Sequence, residues 1–177
     1  SETNISKVGI CGSGIMGSGL AEVAAKAGYT VIVRSRSAAS AQAMITTIEK
    51  GLDKQVSREK ITAEDKAAIL GRLSATDKIA DLADCDLVIE SVVEDLAVKK
   101  ALFIELDKAV KPSAILATNT STLPVVEMAM ATGRPDKVCG IHFFNPATAM
   151  PLVEVVRPIT ASDDTMAAAN AFTAKCG

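Results

Sequence analysis

The sequence predicts a doubly wound α/β fold, in which a mostly parallel β-sheet is covered by helices on both faces. Short apolar runs of strand length alternate with longer segments whose apolar residues recur every three or four positions. This alternation requires crossover connections, which are right-handed and join parallel strands. The 177 residues are 49% hydrophobic and contain no repeat or linker. We therefore expect one domain, a dinucleotide-binding unit over residues 1–177, for the reasons that follow.

The first predicted strand leads into a glycine-rich turn. Gly12, Gly14 and Gly17 have the spacing G-x-G-x-x-G. The first glycine permits a tight turn, the second lets the backbone approach a pyrophosphate, and the third lets the next helix pack closely on the strand. Ile15 and Met16 begin that helix, whose N-terminus offers free N–H groups to phosphate; Met16 is expected on its buried face. The pattern indicates a Rossmann-type dinucleotide site, and the alternative is a turn kept only for packing.

The end of the second strand, residues 30–33, distinguishes between dinucleotides. An NAD site usually has an acid there, which accepts a hydrogen bond from the ribose 2′-hydroxyl. This chain has Arg34, Ser35 and Arg36 instead. Guanidinium and hydroxyl groups suit a 2′-phosphate, which arginine binds in bidentate fashion. We therefore predict that NADP is preferred over NAD. The alternative is that both arginines are solvated loop charges.

The later elements are assigned by the same periodicity and by local start and stop signals. Thr62 opens a capping box for a short helix, Pro112 stops a long one, Pro124 suits the first turn of another, and Ser162 caps the last. The predicted strands after the second are residues 73–76, 87–89, 115–117, 138–141 and 152–156.

Polar clusters follow the predicted strands. Because ligands of wound sheets lie beyond the carboxyl ends of the strands, we expect these clusters to form one site. They comprise the glycine turn and residues 34–37, 90–95, 118–122 and 142–146. Asn119 belongs to this edge and is predicted to contact the cofactor.

Four further residues suit the chemistry of a dehydrogenase. His142 is the only histidine and can exchange a proton near neutral pH. Glu154, a lone acid in an apolar run, is expected to be buried and to fix the imidazole tautomer. Ser121 and Asn145 are predicted to donate hydrogen bonds to the substrate oxygen and to the nicotinamide amide. The alternatives are that His142 is a structural histidine and that Glu154 is an edge-strand acid facing water. Ser121 could likewise be a helix cap, and Asn145 a turn residue.

Composition excludes several classes of partner. The net charge is −2 and no basic tract is present, so nucleic-acid binding is not expected. No apolar run approaches the length of a membrane span. Residues 1–4 are polar, so we do not expect them to belong to a signal peptide. Four cysteines without a C-x-x-C pair, together with one histidine, argue against a metal site. Cysteine usage of this kind fits a reducing cytoplasm.

Four segments together resemble the cofactor-binding domain of the 3-hydroxyacyl-CoA dehydrogenases, especially the bacterial 3-hydroxybutyryl-CoA enzymes. The segments are residues 8–19, 86–106, 117–123 and 140–156, which occur in the family's order and are spread along the chain nearly end to end. The resemblance implies that His142 is the catalytic histidine and Glu154 the acid that orients it, with Ser121 near the substrate oxygen and Asn145 near the nicotinamide. It also implies that Glu94 and Lys99 contact the cofactor and the substrate side of the site. Without the resemblance, the two residues would be interpreted as a solvated pair.

Two departures from the family pattern matter. The usual acid after the second strand is replaced by Ser35, which agrees with NADP rather than NAD. Family members also continue into a helical second domain that makes the dimer and closes over the substrate, so we expect this fragment alone to be poorly active. The predicted activity is hydride transfer between NADP(H) and a short-chain 3-hydroxyacyl- or 3-ketoacyl-CoA. The alternatives are a dehydrogenase of free hydroxy acids and a non-catalytic nucleotide sensor.

Overall fold

A computed structural model of the chain describes residues 4–12, 14–120, 123–144 and 152–177. Within these residues strands and helices alternate along most of the chain. The strands are β1 (Lys7–Gly12), β2 (Thr30–Arg34), β3 (Leu73–Thr76), β4 (Leu87–Ser91), β5 (Ile115–Thr118), β6 (Val138–Phe144) and β7 (Leu152–Val156). The helices are α1 (Gly14–Lys26), α2 (Ala38–Ser57), α3 (Ala63–Gly71), α4 (Leu96–Ala109), α5 (Val125–Met130) and α6 (Asp163–Cys176).

The seven strands form one sheet in the order β3-β2-β1-β4-β5-β6-β7. The first six strands are parallel, and β7 pairs with β6 in the antiparallel direction. This confirms the predicted mostly parallel, doubly wound α/β architecture. The direction of strand succession reverses between β1 and β4, and in open sheets of this kind the ligand crevice lies at that reversal.

Two apolar layers enclose the sheet. One layer is formed with α1, α2 and α6 and includes the side chains of Leu20, Met44 and Phe172. The opposite layer is formed with α4 and α5 and includes Phe103 and Met128. Both faces of the central strands are therefore covered, which buries any polar side chain that those strands carry. Across the described ranges, no helix is both long and apolar enough to cross a membrane.

Several element boundaries follow the predicted signals. Thr62 caps α3 in a reciprocal capping box with Asp65, and Ser162 caps α6 through the Thr165 N–H. Pro124 lies at the N-cap of α5 rather than in its first turn. Met16 is exposed and not on the buried face of α1, because burial in this helix begins only at Gly17, after an exposed first turn.

Candidate active site

The glycine turn has the geometry that its spacing predicts. Gly12 has φ +150°, and a Cβ built on it would lie 2.4 Å from the Ser91 carbonyl oxygen. Gly14 has φ +83°, and a Cβ added there would meet no heavy atom within 4 Å, so its surface is open. Side chains rarely adopt these backbone angles, and glycine carries no such penalty. The turn therefore closes against β4 at Gly12 and leaves bare backbone facing outward at Gly14.

The start of α1 is open to an anion. Its first turn contains no acidic residue, and Ile15 and Met16 in that turn are exposed. Unpaired N–H groups and the positive end of the helix dipole favour negative charge at such a position. A Cβ on Gly17 would approach the Met44 Cε atom, the flexible end of a side chain, to 2.9 Å and would lie 3.8 Å from the Gly12 carbonyl carbon. The third glycine therefore faces α2, and its need for close packing on the strand stays a prediction.

The end of β2 carries a cluster of hydroxyl and guanidinium groups. Ser35 is buried, and its Oγ accepts a hydrogen bond of 2.6 Å from the Ser40 hydroxyl in the first turn of α2. Arg34 donates from Nε to the Asp77 carbonyl oxygen at 3.2 Å, while Arg36 is exposed. No acidic residue occurs in the first turn of α2. The cluster is thus cationic and rich in hydroxyl donors.

Asn119 joins three strand ends. Its Oδ1 accepts from the Phe143 backbone N–H at 2.9 Å, and its Nδ2 lies 3.4 Å from Ser91 Oγ. Ser91 in turn pairs with Gly12 in the β1–β4 register. The glycine turn and the histidine-bearing end of β6 therefore lie at the same edge of the sheet. Asn119 is largely buried in this bridging role, and its contact with a cofactor stays a prediction.

His142 and Glu154 occupy directly opposed positions on β6 and β7. Opposed residues of an antiparallel pair project from the same face, with Cβ atoms about 4.5–5.5 Å apart. His142 is half-buried, and its Nδ1 atom is buried without a hydrogen-bond partner among the described residues. The expected burial of Glu154 is wrong: the side chain is exposed, because β7 ends the described sheet and has no strand beyond it.

The acid that is buried in a strand is Glu90, at the end of β4. Its carboxylate oxygens both lie 2.8 Å from Lys99 Nζ, and both side chains are 0% exposed. The Thr118 hydroxyl and the Val92 backbone N–H also donate to Glu90. Lys99 is therefore not solvated, contrary to the alternative drawn from its sequence position. Its contact with a cofactor stays a prediction.

Glu94 extends this network toward solvent. One carboxylate oxygen lies 3.3 Å from Lys99 Nζ, and the other accepts a hydrogen bond of 2.6 Å from the Thr120 hydroxyl. The side chain of Glu94 is 49% exposed, whereas Thr120 is buried. The predicted residues Ser121 and Asn145 lie outside the described residues, so their roles stay predictions.

Sequence reasoning missed the buried role of Glu90, together with Thr118 and Thr120. A usable signal was present, because Glu90 directly extends the apolar run of residues 87–89 into a strand with neighbours on both sides. The thiol of Cys11, beside Glu90 in register, has its pKa raised to about 12 by burial, so it stays protonated at neutral pH. No group of three metal-binding side chains occurs in the part of the chain that the structure describes.

Comparison with known proteins adds independent information. A family model described as the NAD-binding domain of 3-hydroxyacyl-CoA dehydrogenase matches residues 7–177. The 3-hydroxybutyryl-CoA dehydrogenase of Bradyrhizobium diazoefficiens is 46% identical over 173 residues, which are 98% of this chain and 59% of that protein.

Solved structures of similar proteins share the fold. FadB2 of Mycobacterium tuberculosis is 44% identical with a TM-score of 0.93, over 97% of this chain and 61% of that one. The (S)-3-hydroxybutyryl-CoA dehydrogenase PaaH1 of Ralstonia eutropha is 37% identical with a TM-score of 0.95, over 98% and 62% of the two chains. The present chain thus spans about three fifths of the length of these relatives.

Proposed function

The chain belongs to the family of 3-hydroxyacyl-CoA dehydrogenase NAD-binding domains, and from this membership we propose that it serves hydride transfer between NADP(H) and a short-chain 3-hydroxyacyl- or 3-ketoacyl-CoA. The placement of the glycine turn and His142 at one edge of the sheet carries the proposal. Three inter-strand steps of about 4.8 Å separate β1 from β6, so both positions are within reach of one extended ligand.

The cradle for the cofactor is formed by the glycine turn. Gly14 presents bare backbone and open space, and the first turn of α1 has no acid that would repel a pyrophosphate. These features fit a dinucleotide diphosphate at the β1–α1 turn. When bound, the nicotinamide ring supplies the hydride acceptor or donor.

NADP rather than NAD is supported by the end of β2. Ser35 stands where an acid would repel a 2′-phosphate, and its hydroxyl is engaged with Ser40 inside the protein. Arg34 and Arg36 flank it, and the N-terminus of α2 contributes no negative side chain. Arginine binds phosphate oxygens through charge-assisted hydrogen bonds, which are stronger than neutral ones.

Proton transfer is assigned to His142. Its Nδ1 is buried without a hydrogen-bond partner among the described residues, and Glu154 is the carboxylate in register with it on the neighbouring strand. A change of rotamer would bring that carboxylate onto Nδ1–H, fix the tautomer and stabilise the imidazolium. The Nε2 atom would then accept the hydroxyl proton of the substrate as hydride leaves carbon. Ser121 and Asn145 complete the proposed site as hydrogen-bond donors.

The substrate class comes from the relatives, which are named 3-hydroxybutyryl-CoA dehydrogenases. We propose that an acyl-CoA is the partner of this site and that the intact enzyme is a homodimer in a reducing cytoplasm. Because the chain spans 59% of the Bradyrhizobium protein, we expect it to bind cofactor but to turn over acetoacetyl-CoA poorly on its own.

Paired titrations of the 177-residue chain with NADPH and NADH test the proposal. We expect both to bind with fluorescence enhancement and NADPH to bind more tightly, since only NADPH carries the 2′-phosphate. Binding of neither nucleotide refutes the proposed function. Tighter binding of NADH refutes the NADP assignment and leaves the dehydrogenase assignment in place.

A further inference from the structure

The aromatic ring of Phe144 lies against the imidazole of His142. The two ring centroids are 4.0 Å apart, and the ring planes meet at 66°. Aromatic pairs of this edge-to-face kind usually have centroids about 4.5–7 Å apart, so the contact is a close one. Residues two apart on a strand have backbone positions about 6.6 Å apart. The two side chains therefore lean toward each other and do not stand parallel on the strand.

The backbone that carries both rings extends past the neighbouring strand. The register of β5 with β6 ends at the pair Thr118–Gly140, whereas the register of β7 with β6 continues to Phe144. Beyond Gly140 the Asn119 side chain takes over on the β5 side, because its Oδ1 accepts from the Phe143 N–H at 2.9 Å. The end of β6 is thus held from both sides, although β5 stops short of it.

Phe143 fixes the backbone between the two rings. Successive residues of a strand point to opposite faces, so Phe143 points away from His142 and Phe144. Its side chain is 1% exposed in the layer formed with α1, α2 and α6, where its ring centroid lies 6.5 Å from that of Phe172. Because the backbone is anchored here, the orientation of the imidazole depends on side-chain torsions, which a neighbouring ring can restrict.

Phe144 itself contributes little to the core. Among the residues that the structure describes, the members of the two apolar layers do not include Phe144, and its side chain is half-buried. Leu152, directly opposite on β7, is 66% exposed. Core packing is therefore a poor explanation for an aromatic residue at this position, and its contact with the imidazole explains it better.

We propose that Phe144 is a positioning residue, which holds the plane of the His142 imidazole at a fixed angle so that Nδ1 stays turned inward. The Nδ1 atom is buried whereas the side chain as a whole is half-buried, so rotation of the ring would move this atom. A misplacement of about 1 Å can cost about a hundredfold in rate, so restriction of the ring serves proton transfer. The inference rests on the proposed function and deepens it, since Phe144 acts through His142.

Nuclear magnetic resonance of the 177-residue chain tests the contact directly, because a single histidine gives unambiguous imidazole signals. We expect nuclear Overhauser effects between the imidazole and Phe144 ring protons, and three-bond couplings that report one side-chain rotamer of His142. In Phe144→Leu these couplings should become averaged over several rotamers, whereas Phe144→Tyr should keep the wild-type values. The matched control Leu152→Ala removes an exposed apolar side chain opposite Phe144 and should leave the couplings unchanged.

The consequence for turnover is measured in a chimera that joins this chain to the remaining part of the Bradyrhizobium relative. Phe144→Leu should lower kcat about tenfold to a hundredfold, with the KM for acetoacetyl-CoA and the Kd for NADPH within about twofold of wild type. This split is expected because the ring orients the proton-transfer group and holds neither reactant. Phe144→Tyr should retain most of the turnover.

The outcomes separate the two hypotheses. Binding of neither NADPH nor NADH by the wild-type chain refutes the proposed function. A wild type that binds nucleotide, with the same His142 couplings in wild type and Phe144→Leu, refutes only this inference, as does an equal loss of kcat in Phe144→Leu and Leu152→Ala. If Phe144→Leu does not fold, the wild-type and Phe144→Tyr spectra decide. Absence of Overhauser effects between the two rings, or averaged couplings in either protein, overturns the inference.

Discussion

His142 and Glu154 face each other across the antiparallel pairing of β6 and β7, yet no hydrogen bond or ion pair joins them in the described part of the chain. The register places the carboxylate beside the ring, while the exposed rotamer of Glu154 leaves Nδ1 without an acceptor. The register is compatible with the proposed histidine–acid pair, whose contact would require another rotamer of Glu154.

Glu154→Gln is expected to change the tautomer of His142. A carboxylate acceptor favours the Nδ1–H form, and an amide does so less strongly. The 15N shifts of the ring report the two tautomers directly, and assignment is unambiguous because the chain has a single histidine. Glu127→Gln, at an exposed position on α5, is the control. Identical ring shifts in Glu154→Gln and wild type would contradict the proposed pairing.

His142→Gln is expected to lower kcat about 10²–10⁴-fold, because general acid–base catalysis is lost. The measurement uses a chimera that joins this chain to the remaining part of the Bradyrhizobium relative, with acetoacetyl-CoA and NADPH. The dissociation constant for NADPH should change less than about twofold, since the ring exchanges a proton and does not hold the diphosphate. A variant that keeps most of its turnover would refute the assignment of proton transfer to His142.

Arg36→Met is expected to weaken NADPH binding by about 1–3 kcal/mol, the loss associated with a charge-assisted contact to the 2′-phosphate. Arg34→Met should act in the same direction, and NADH binding should be nearly unaffected by either change. Arg58→Met, an exposed position after α2, is the matched control for net charge. Equal losses for NADPH and NADH would show that these arginines do not bind the 2′-phosphate.

Three glycine substitutions separate strain from function. Gly14→Ala and Gly28→Ala each introduce a side chain at positive φ with no close contact, so each should cost about 1–3 kcal/mol of unfolding free energy. Gly12→Ala should cost more, because its methyl would overlap the Ser91 carbonyl. Only Gly12→Ala and Gly14→Ala should weaken dinucleotide binding. Urea unfolding and NADPH titration measure the two effects, and weakened binding in Gly28→Ala would argue against this distinction.

Asp86 gives a pH-dependent contribution to stability. Burial alone would raise the pKa of Asp86, but hydrogen bonds from Lys111, Lys7 and Ser6 outweigh it and lower the pKa to about 2. An unfolded aspartate has a pKa of about 3.9, so the carboxylate stabilises the fold by about 2 kcal/mol at neutral pH. This stabilisation is present above pH about 4 and is lost as the pH falls toward about 2.

Asp86→Asn is therefore expected to lower the unfolding free energy by about 2 kcal/mol at pH 7 and by progressively less below pH about 4. Urea titrations across this range provide the measurement. The variant Asp77→Asn, at an exposed loop position, serves as the comparison. A difference between wild type and Asp86→Asn that does not shrink with acidification would point to lost packing instead of lost charge.

Sequence patterns predicted the sheet, and which strand ends share one edge, more reliably than the burial of individual side chains. Glycine spacing and helical periodicity are local signals, so the β1–α1 turn and α3 with its Thr62 cap follow directly from them. Burial depends on which strands become neighbours. Glu90 ends an apolar run and Glu154 interrupts one. Glu154 lies on the terminal strand β7, whereas Glu90 lies on β4, which is paired on both sides. Only the strand order separates them, and one sequence does not encode that order in any single segment.

The position of β7 at the end of the described sheet also bears on local motion. A terminal strand is bonded along one side only, so it opens at lower free energy than the strands beside β1. Fraying of this strand would carry Glu154 away from the imidazole while the glycine turn stayed intact. Slow amide exchange in β1 and β4 with faster exchange in β7 would therefore indicate that the proposed His142–Glu154 contact can be lost while the glycine turn stays folded.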